Sequence, residues 1–382
     1  MSTKAGPILI VGSGPSGYAL LRELRRRDST SKIELLTADD GTACEHAGFA
    51  PAIAGGRRVG ELVIATAVEA AERHRATIRP HTRALSIEPA RRTVHVPNGE
   101  IGYRSLVLAT GSEPQRPACL AGNAAGQVLF AGTLDEYRYF RHELEGRRRV
   151  VILGGTEQGC AYADALHRGG CEVLLFEPCG RLFDGRLPAL ASSRFARSLA
   201  RSGVRVELED GVARIDQADD GFALLTLSGR RIAAELVLCA GRRHARIALA
   251  RTAGLEVGSG IRVDRSMRTS DADIFALGAC AEFAGRALCH AGDIEEAARV
   301  VADRLCGGEA VFRDVPRPRR LTIEACPMVL CEPPPVAGEW VEAADVGGVE
   351  ALFHDTAGGL RGYVLIGDKL GRADRLARLL QT

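Results

Sequence analysis

The 382-residue chain lacks an excess of charge of either sign: 50 Lys and Arg stand against 48 Asp and Glu, a formal net charge of +2. A chain so balanced projects no basic field, which leaves nucleic acid without an electrostatic footprint. Long hydrophobic runs are missing too, so no segment reads as a bilayer span. The opening MSTKAGPILIVGSG passes straight into a strand without the charged and apolar regions of a secretory leader, and the expectation is a cytoplasmic protein. No two cysteines have the CxxC spacing of a zinc site. The eleven cysteines are scattered through apolar strands and small-residue helices and read as reduced core filling. One pair, Cys326 and Cys331 in EACPMVLCEPPP, has a C-x4-C spacing that leaves a redox pair open as the alternative.

What is present is the balance of a soluble globular protein, 46% hydrophobic and 26% charged, in a chain long enough for two or three domains. The clearest unit comes first: strand PILIVG, turn GSGPSG, amphipathic helix YALLRELRRRD and strand KIELLTADD, a βαβ pattern. Gly12, Gly14 and Gly17 have the spacing of a dinucleotide-binding turn. The first makes the tight bend, the second lets the backbone approach a pyrophosphate, and the third lets helix and strand pack closely. Free N–H groups at the helix N-terminus then face the phosphates. Asp39 falls where an acid accepts hydrogen bonds from a ribose.

A second βαβ unit spans Val150 to Pro178, VVILGGTEQGCAYADALHRGGCEVLLFEP. Its turn places Thr156 where a middle glycine is expected and Glu157 beside it, while Glu177 ends the following strand. A Cβ at position 156 fills the space through which backbone approaches pyrophosphate. A carboxylate about 6 Å from a phosphate repels it by roughly 3 kcal/mol at an effective dielectric of ~20, of order a hundredfold in affinity. Each βαβ unit is followed by a strand meander and a buried strand, ending respectively in ATG at 109–111 and in VLCAG at 237–241. IFALGACAE then supplies a short strand and turn, and Pro-rich linkers introduce a strand-rich tail closed by the basic helix KLGRADRLARLL, whose Leu and Arg spacing suits a packed amphipathic helix.

On GSGPSG, LLTADDG, LVLATGSEP, VDRSMRTSDADIFALGACAE and ACPMVLCEPPP, the chain resembles the FAD-dependent pyridine nucleotide-disulfide oxidoreductases, most closely the rubredoxin reductases, over nearly its whole length. The resemblance implies an α/β fold with two Rossmann-like three-layer domains, of FAD and NAD type, and a small α+β C-terminal domain. Residues 1–115 and 241–310 would form the FAD-type domain, 116–240 the NAD-type and 311–382 an interface-type domain. It also implies FAD contacts from Gly12, Ser13, Gly14, Pro15, Ser16, Gly17, Asp39, the backbone near Ala84, Ala109, Thr110, Gly111, Gly278 and Ala279. The partner would be a small electron-carrier protein or a partner enzyme.

Departures from the family matter as much. The ribityl-binding acid is replaced by Ala279, a loss of about 1.5–3 kcal/mol of charged hydrogen bonding. Where the family has a flavin-side lysine segment the chain reads Cys44-Glu45-His46-Ala47, and the glutamate paired with that lysine is Ala161, so both partners of the ion pair are gone together. Cys44, Glu45 and His46 become the candidate catalytic residues, with His46 as the group that titrates near neutrality beside a flavin. Cys289, His290 and Asp293 are metal-ligand types that could join them, although Asp293 also reads as a helix N-cap with Glu296 completing a capping box. These features predict an FAD-binding oxidoreductase with impaired NADH binding and chemistry redirected to another substrate or partner. A degenerate partner subunit, a pocket repurposed for metal or a small molecule, and an ordinary NADH-dependent electron-transfer reductase stand as alternatives.

Overall fold

The computed structural model describes residues 6–117 and 120–380, which fold as two compact units. The first comprises Met1–Glu45, Leu62–Glu113 and Arg243–Asp314. Its centre is an all-parallel five-stranded sheet in the order Ile274–Ala276, Ser105–Leu108, Ile8–Val11, Ile33–Leu36, Thr77–Arg79. The three central strands are almost uninterrupted runs of Ile, Leu and Val because both faces of a parallel sheet are covered. Helix Pro15–Arg27 lies on this sheet and packs against helix Ala291–Leu305. Pro15 pre-sets the first helical φ, Leu20, Leu21 and Leu24 face the core, and Arg25–Arg27 oppose the dipole in the last turn. The expected meander is an antiparallel sheet of Ser86–Glu88, Thr93–Val96 and Gly99–Gly102.

The second unit comprises His46–Glu61, Pro114–Arg242 and Val315–Thr382. A parallel sheet runs in the order Arg205–Leu208, Glu172–Glu177, Arg149–Leu153, Leu236–Cys239, beside the antiparallel meander Val212–Ala218, Gly221–Thr226, Arg231–Ala234. Helix Glu157–Arg168 buries Cys160, Ala163 and Leu166. The tail forms a five-stranded antiparallel sheet, Arg319–Leu321, Met328–Cys331, Leu360–Gly367, Gly348–Asp355, Gly338–Ala344. Helix Ala373–Leu379 caps it, with Ala373 and Leu376 among Val329, Tyr363 and Leu365.

The sequence places one helix start wrongly. Helix Ala291–Leu305 begins three residues earlier than a cap at Asp293 requires, with His290 as its N-cap. Asp293 is instead at the third helical position, buried, where its Oδ2 accepts from Arg286 Nη1 at 2.6 Å. Glu296 pairs with Arg299 at 2.8 Å and completes no capping box. The half-buried Arg286 guanidinium, which also meets Asp314 at 2.5 Å, offers the carboxylate a full opposite charge that the amides at the helix end do not.

Candidate dinucleotide sites

Most of the residues expected to hold FAD follow the C-terminal ends of the parallel strands in the first unit's sheet. Gly12 has φ +120°, and any Cβ there would overlap the carbonyl of Ala109. A Cβ at Gly17 would overlap the carbonyl of Gly12, so both positions require glycine for the fold itself. Gly14 differs: it caps the helix in extended backbone, φ −69° and ψ −176°, and a Cβ there meets nothing within 4 Å. That open space above the helix N-terminus is the cradle a pyrophosphate needs. Pro15 and Ser16 continue the turn, and Ser16 is buried against Gly278, whose φ of +78° leaves no room for a side chain beside the Ser16 hydroxyl.

Asp39 is fixed as its role demands. Its Oδ1 accepts from Ser13 Oγ at 2.8 Å, Thr37 Oγ1 at 2.5 Å and the Gly41 amide at 3.0 Å. Thr37 escapes notice in the sequence, although the spacing Thr-x-Asp is itself the signal for a hydroxyl that orients the acid. Ala84 lies between Thr82, whose amide donates to Thr37 O, and Leu85, whose amide donates to His95 O. Thr110 Oγ1 donates to Arg246 O at 2.9 Å, and Gly111, at φ +69°, turns the chain after the buried strand. Ala279 is half-buried in the turn Gly278–Cys280. These residues fit FAD, except that Ala279 offers no side-chain hydrogen bond to a ribityl chain.

In the second unit Gly154 and Gly159 repeat the steric demands of Gly12 and Gly17. Gly154 has φ +108°, with Gly241 Cα 2.7 Å from a built Cβ, and a Cβ at Gly159 would overlap the Gly154 carbonyl. Thr156 takes the middle place as the helix N-cap at φ −66° and ψ 171°. Its hydroxyl is turned inward, donating to Ala240 O at 2.5 Å and accepting from the Gly159 amide at 3.1 Å, and the residue is buried. Glu177, 2% exposed, accepts from the Gly155 amide at 2.8 Å and the Cys179 amide at 2.9 Å, the counterpart of Asp39.

The expected clash of Glu157 with a phosphate is corrected by its partner. Glu157 Oε2 lies 2.7 Å from Nη1 of Arg319, so the carboxylate at this turn is paired rather than bare. No local signal links the two residues, which are 162 apart in sequence. Apart from the Thr156 Cβ, the turn repeats the backbone of the first.

The Cys44-Glu45-His46 candidates follow one another where the chain passes from the first unit to the second. Cys44 ends the strand Ala43–Cys44, half-buried, and the exposed Glu45 donates its amide to Leu62 O at 2.9 Å. His46 opens a short 3-10 turn, its ring 5.1 Å from that of Phe49, which stacks on Tyr137 at 4.5 Å and 6°. Cys289 Sγ lies 3.9 Å from His290 Nε2. Among the described residues no group of three or more His, Cys, Asp or Glu stands together as a metal site. Cys326 and Cys331 are both buried and free. Burial pushes the Cys326 thiol up and the Cys331 thiol up to about 12, so neither is the thiolate that disulfide exchange requires. Among the described residues no helix is long and apolar enough to cross a membrane.

Two glycine turns on parallel sheets, each with an acid at the end of the following strand, define a protein with two dinucleotide-binding folds. A family model described as pyridine nucleotide-disulphide oxidoreductase matches residues 6–301, and one described as rubredoxin binding C-terminal domain matches residues 323–380. The chain belongs to the pyridine nucleotide-disulphide oxidoreductase family, as an FAD-dependent oxidoreductase resembling rubredoxin reductase. It is 34% identical over 379 residues to rubredoxin-NAD(+) reductase of Alcanivorax borkumensis, covering 98% of each chain. It is 31% identical to rubredoxin-NAD(+) reductase of Acinetobacter baylyi, covering 96% of this chain and 95% of that one. Among solved structures the covalent putidaredoxin reductase–putidaredoxin complex superposes with TM-score 0.89 at 20% identity, over 99% of this chain and 93% of that one, a likeness of fold. The family implies use of FAD and NAD(P)H.

Proposed function

We propose that this protein is an NADH-fed flavoprotein reductase that delivers electrons to a small iron electron carrier of the rubredoxin kind. The observation that carries the reading is the open cradle over Gly14, flanked by two glycines that cannot be replaced and by an acid held at three points. Bound FAD supplies the conversion between two-electron nicotinamide chemistry and one-electron delivery to an iron carrier. The chain's part is to hold and orient. Residues 12–17 and the helix behind them receive the FAD pyrophosphate, Asp39 its adenosine ribose, and Thr110, Gly111 and Gly278 shape the turns beyond. Gly154–Gly159 and Glu177 offer the corresponding groups to NADH. In this division residues 1–115 and 241–310 serve FAD, 116–240 serve NADH and 311–382 meet the carrier, a role supported by the match of 323–380 to the rubredoxin-binding model. His46 is the proton-handling candidate, with Cys44 and Glu45 beside it in the chain.

NADH affinity in this reading is lowered rather than lost, because Thr156 puts a Cβ where the first turn has none, while the charge of Glu157 is already met by Arg319. The test is anaerobic titration of the purified yellow protein with NADH, followed by oxidised rubredoxin. Bleaching by NADH and recovery of the oxidised spectrum on adding rubredoxin are expected. A colourless protein that takes up no FAD removes the reading in favour of a silent partner subunit. A yellow protein that excess NADH leaves unbleached removes its nicotinamide half and favours chemistry redirected to another donor.

A further inference from the structure

The helix that follows the second turn starts at Glu157, and a negative side chain at this point occupies the field that an incoming phosphate would use. The second unit answers that charge from far along the chain. Arg319, the first residue of strand Arg319–Leu321, reaches Glu157 with Nη1 at 2.7 Å and Glu332 Oε1 with Nη2 at 3.4 Å. Glu332 Oε1 also accepts from Arg186 Nη1 at 3.0 Å. Two guanidinium groups thus alternate with two carboxylates, and the four formal charges cancel. The Arg319 side chain is 18% exposed, far less than the 47% of Arg186. A guanidinium so enclosed has one partner geometry and cannot trade it cheaply for water, and its bond to Glu157 is of the short, charge-assisted kind.

We propose that Arg319 is a positioning residue for the nicotinamide dinucleotide: it holds and neutralises the Glu157 carboxylate so that the second turn can accept a diphosphate. This rests on the reading that the second turn binds NADH. Arg319 acts through Glu157 and needs no contact of its own with the nucleotide. An acid at position 157 is therefore tolerated because a strand of the tail supplies its counter-charge. Without that counter-charge the carboxylate repels the diphosphate across a distance at which one unscreened charge changes affinity by one to two powers of ten.

The experiment is calorimetric titration of the oxidised, FAD-loaded protein with NAD+, paired with steady-state kinetics in NADH. Arg319→Ala should weaken NAD+ binding by about 10- to 100-fold, with the loss in turnover falling on KM for NADH rather than on kcat. Adding Glu157→Gln to Arg319→Ala should return affinity to within about threefold of Glu157→Gln alone, a coupling that general loss of packing does not produce. The Arg319→Ala defect should also shrink as salt is raised, since an exposed carboxylate is screened. Glu157→Gln on its own provides the check if Arg319→Ala fails to fold: its affinity should equal or exceed the parent's. Unchanged NAD+ affinity in Arg319→Ala, a loss that persists in the double variant, or weakened binding in Glu157→Gln would each overturn the proposal while leaving the function intact. A parent protein that does not bind NAD+ at all overturns the nicotinamide reading and this inference with it.

Discussion

The two glycine turns have almost the same backbone and differ in what stands at the middle position: Gly14 at φ −69°, ψ −176° and Thr156 at φ −66°, ψ 171°. Neither pair of angles calls for glycine, whereas φ is +120° at Gly12 and +108° at Gly154. The outer glycines therefore answer to the fold and the middle one answers only to the ligand. The first turn leaves the ligand's space open. The second has filled part of it and gained a helix cap in return, since the Thr156 hydroxyl satisfies the Gly159 amide.

The strongest way to break this comparison is at the third glycine. Gly17→Val and Gly159→Val force a side chain into a carbonyl in either turn, and each should cost about 3 kcal/mol or more, read as a drop in urea midpoint. A mild effect at one site only would show that the turns are not steric equals. Next come the acids. Asp39→Ala strands the Gly41 amide and leaves the Ser13 and Thr37 hydroxyls with only each other, and Glu177→Ala strands the amides of Gly155 and Cys179. Each should lose about 1.5–3 kcal/mol of stability, with FAD retention suffering in the first and NAD+ affinity in the second.

The middle position is sharpened by exchanging the residues. Gly14→Thr should fold normally, because a Cβ there meets no protein atom, yet release FAD on gel filtration. Thr156→Gly should cost about 1–3 kcal/mol of stability, because Ala240 O loses its hydroxyl donor along with the helix cap, and tighten NAD+ up to tenfold. If Gly14→Thr keeps FAD with undiminished affinity, a side chain at this place does not obstruct a dinucleotide and the comparison fails.

The smallest effect is on acid stability, with one carboxylate to follow in each unit. Burial raises the cost of ionising Glu34, but hydrogen bonds from Lys32 and Arg79 outweigh it and hold its carboxyl below the usual range. Asp210 is likewise opposed by burial, then held down by Ser228, Arg230 and the Gly211 amide. Since both folded values are depressed, their stabilisation is full above the unfolded value of ~4 and fades as pH falls through the folded one. The deficits of Glu34→Gln and Asp210→Asn in thermal melts should therefore be largest near pH 7 and diminish below about pH 4. A deficit independent of pH would mean that packing, not charge, is what was lost.

Much of this was legible in the sequence because it is local. Glycine spacing, apolar strand runs and the acids at positions 39 and 177 lie within single βαβ units, where periodicity and turn chemistry determine structure. The inward turn of Thr156 could have been foreseen from the preference of threonine for helix caps. What could not be read was the pairing of charges brought together by topology. Glu157 finds Arg319 across much of the chain, whereas the miss at Asp293 is over a short reach: it finds Arg286 seven residues back instead of the helix end predicted for it. Asp164 is another long-range partner, though to neutral groups: buried on its helix, it accepts the backbone amides of Glu324 and Ala325 from the tail.

If the second turn takes nicotinamide dinucleotide as proposed, the bond between Glu157 and Arg319 implies an order in which the two residues were acquired. An arginine arriving first at 319 meets Glu332 and is tolerated; a glutamate arriving first at 157 confronts the coenzyme alone. Lineages carrying an acid at the helix start should thus descend from forebears that already had the base, and present-day chains with the acid but no base should have abandoned nicotinamide as their fuel.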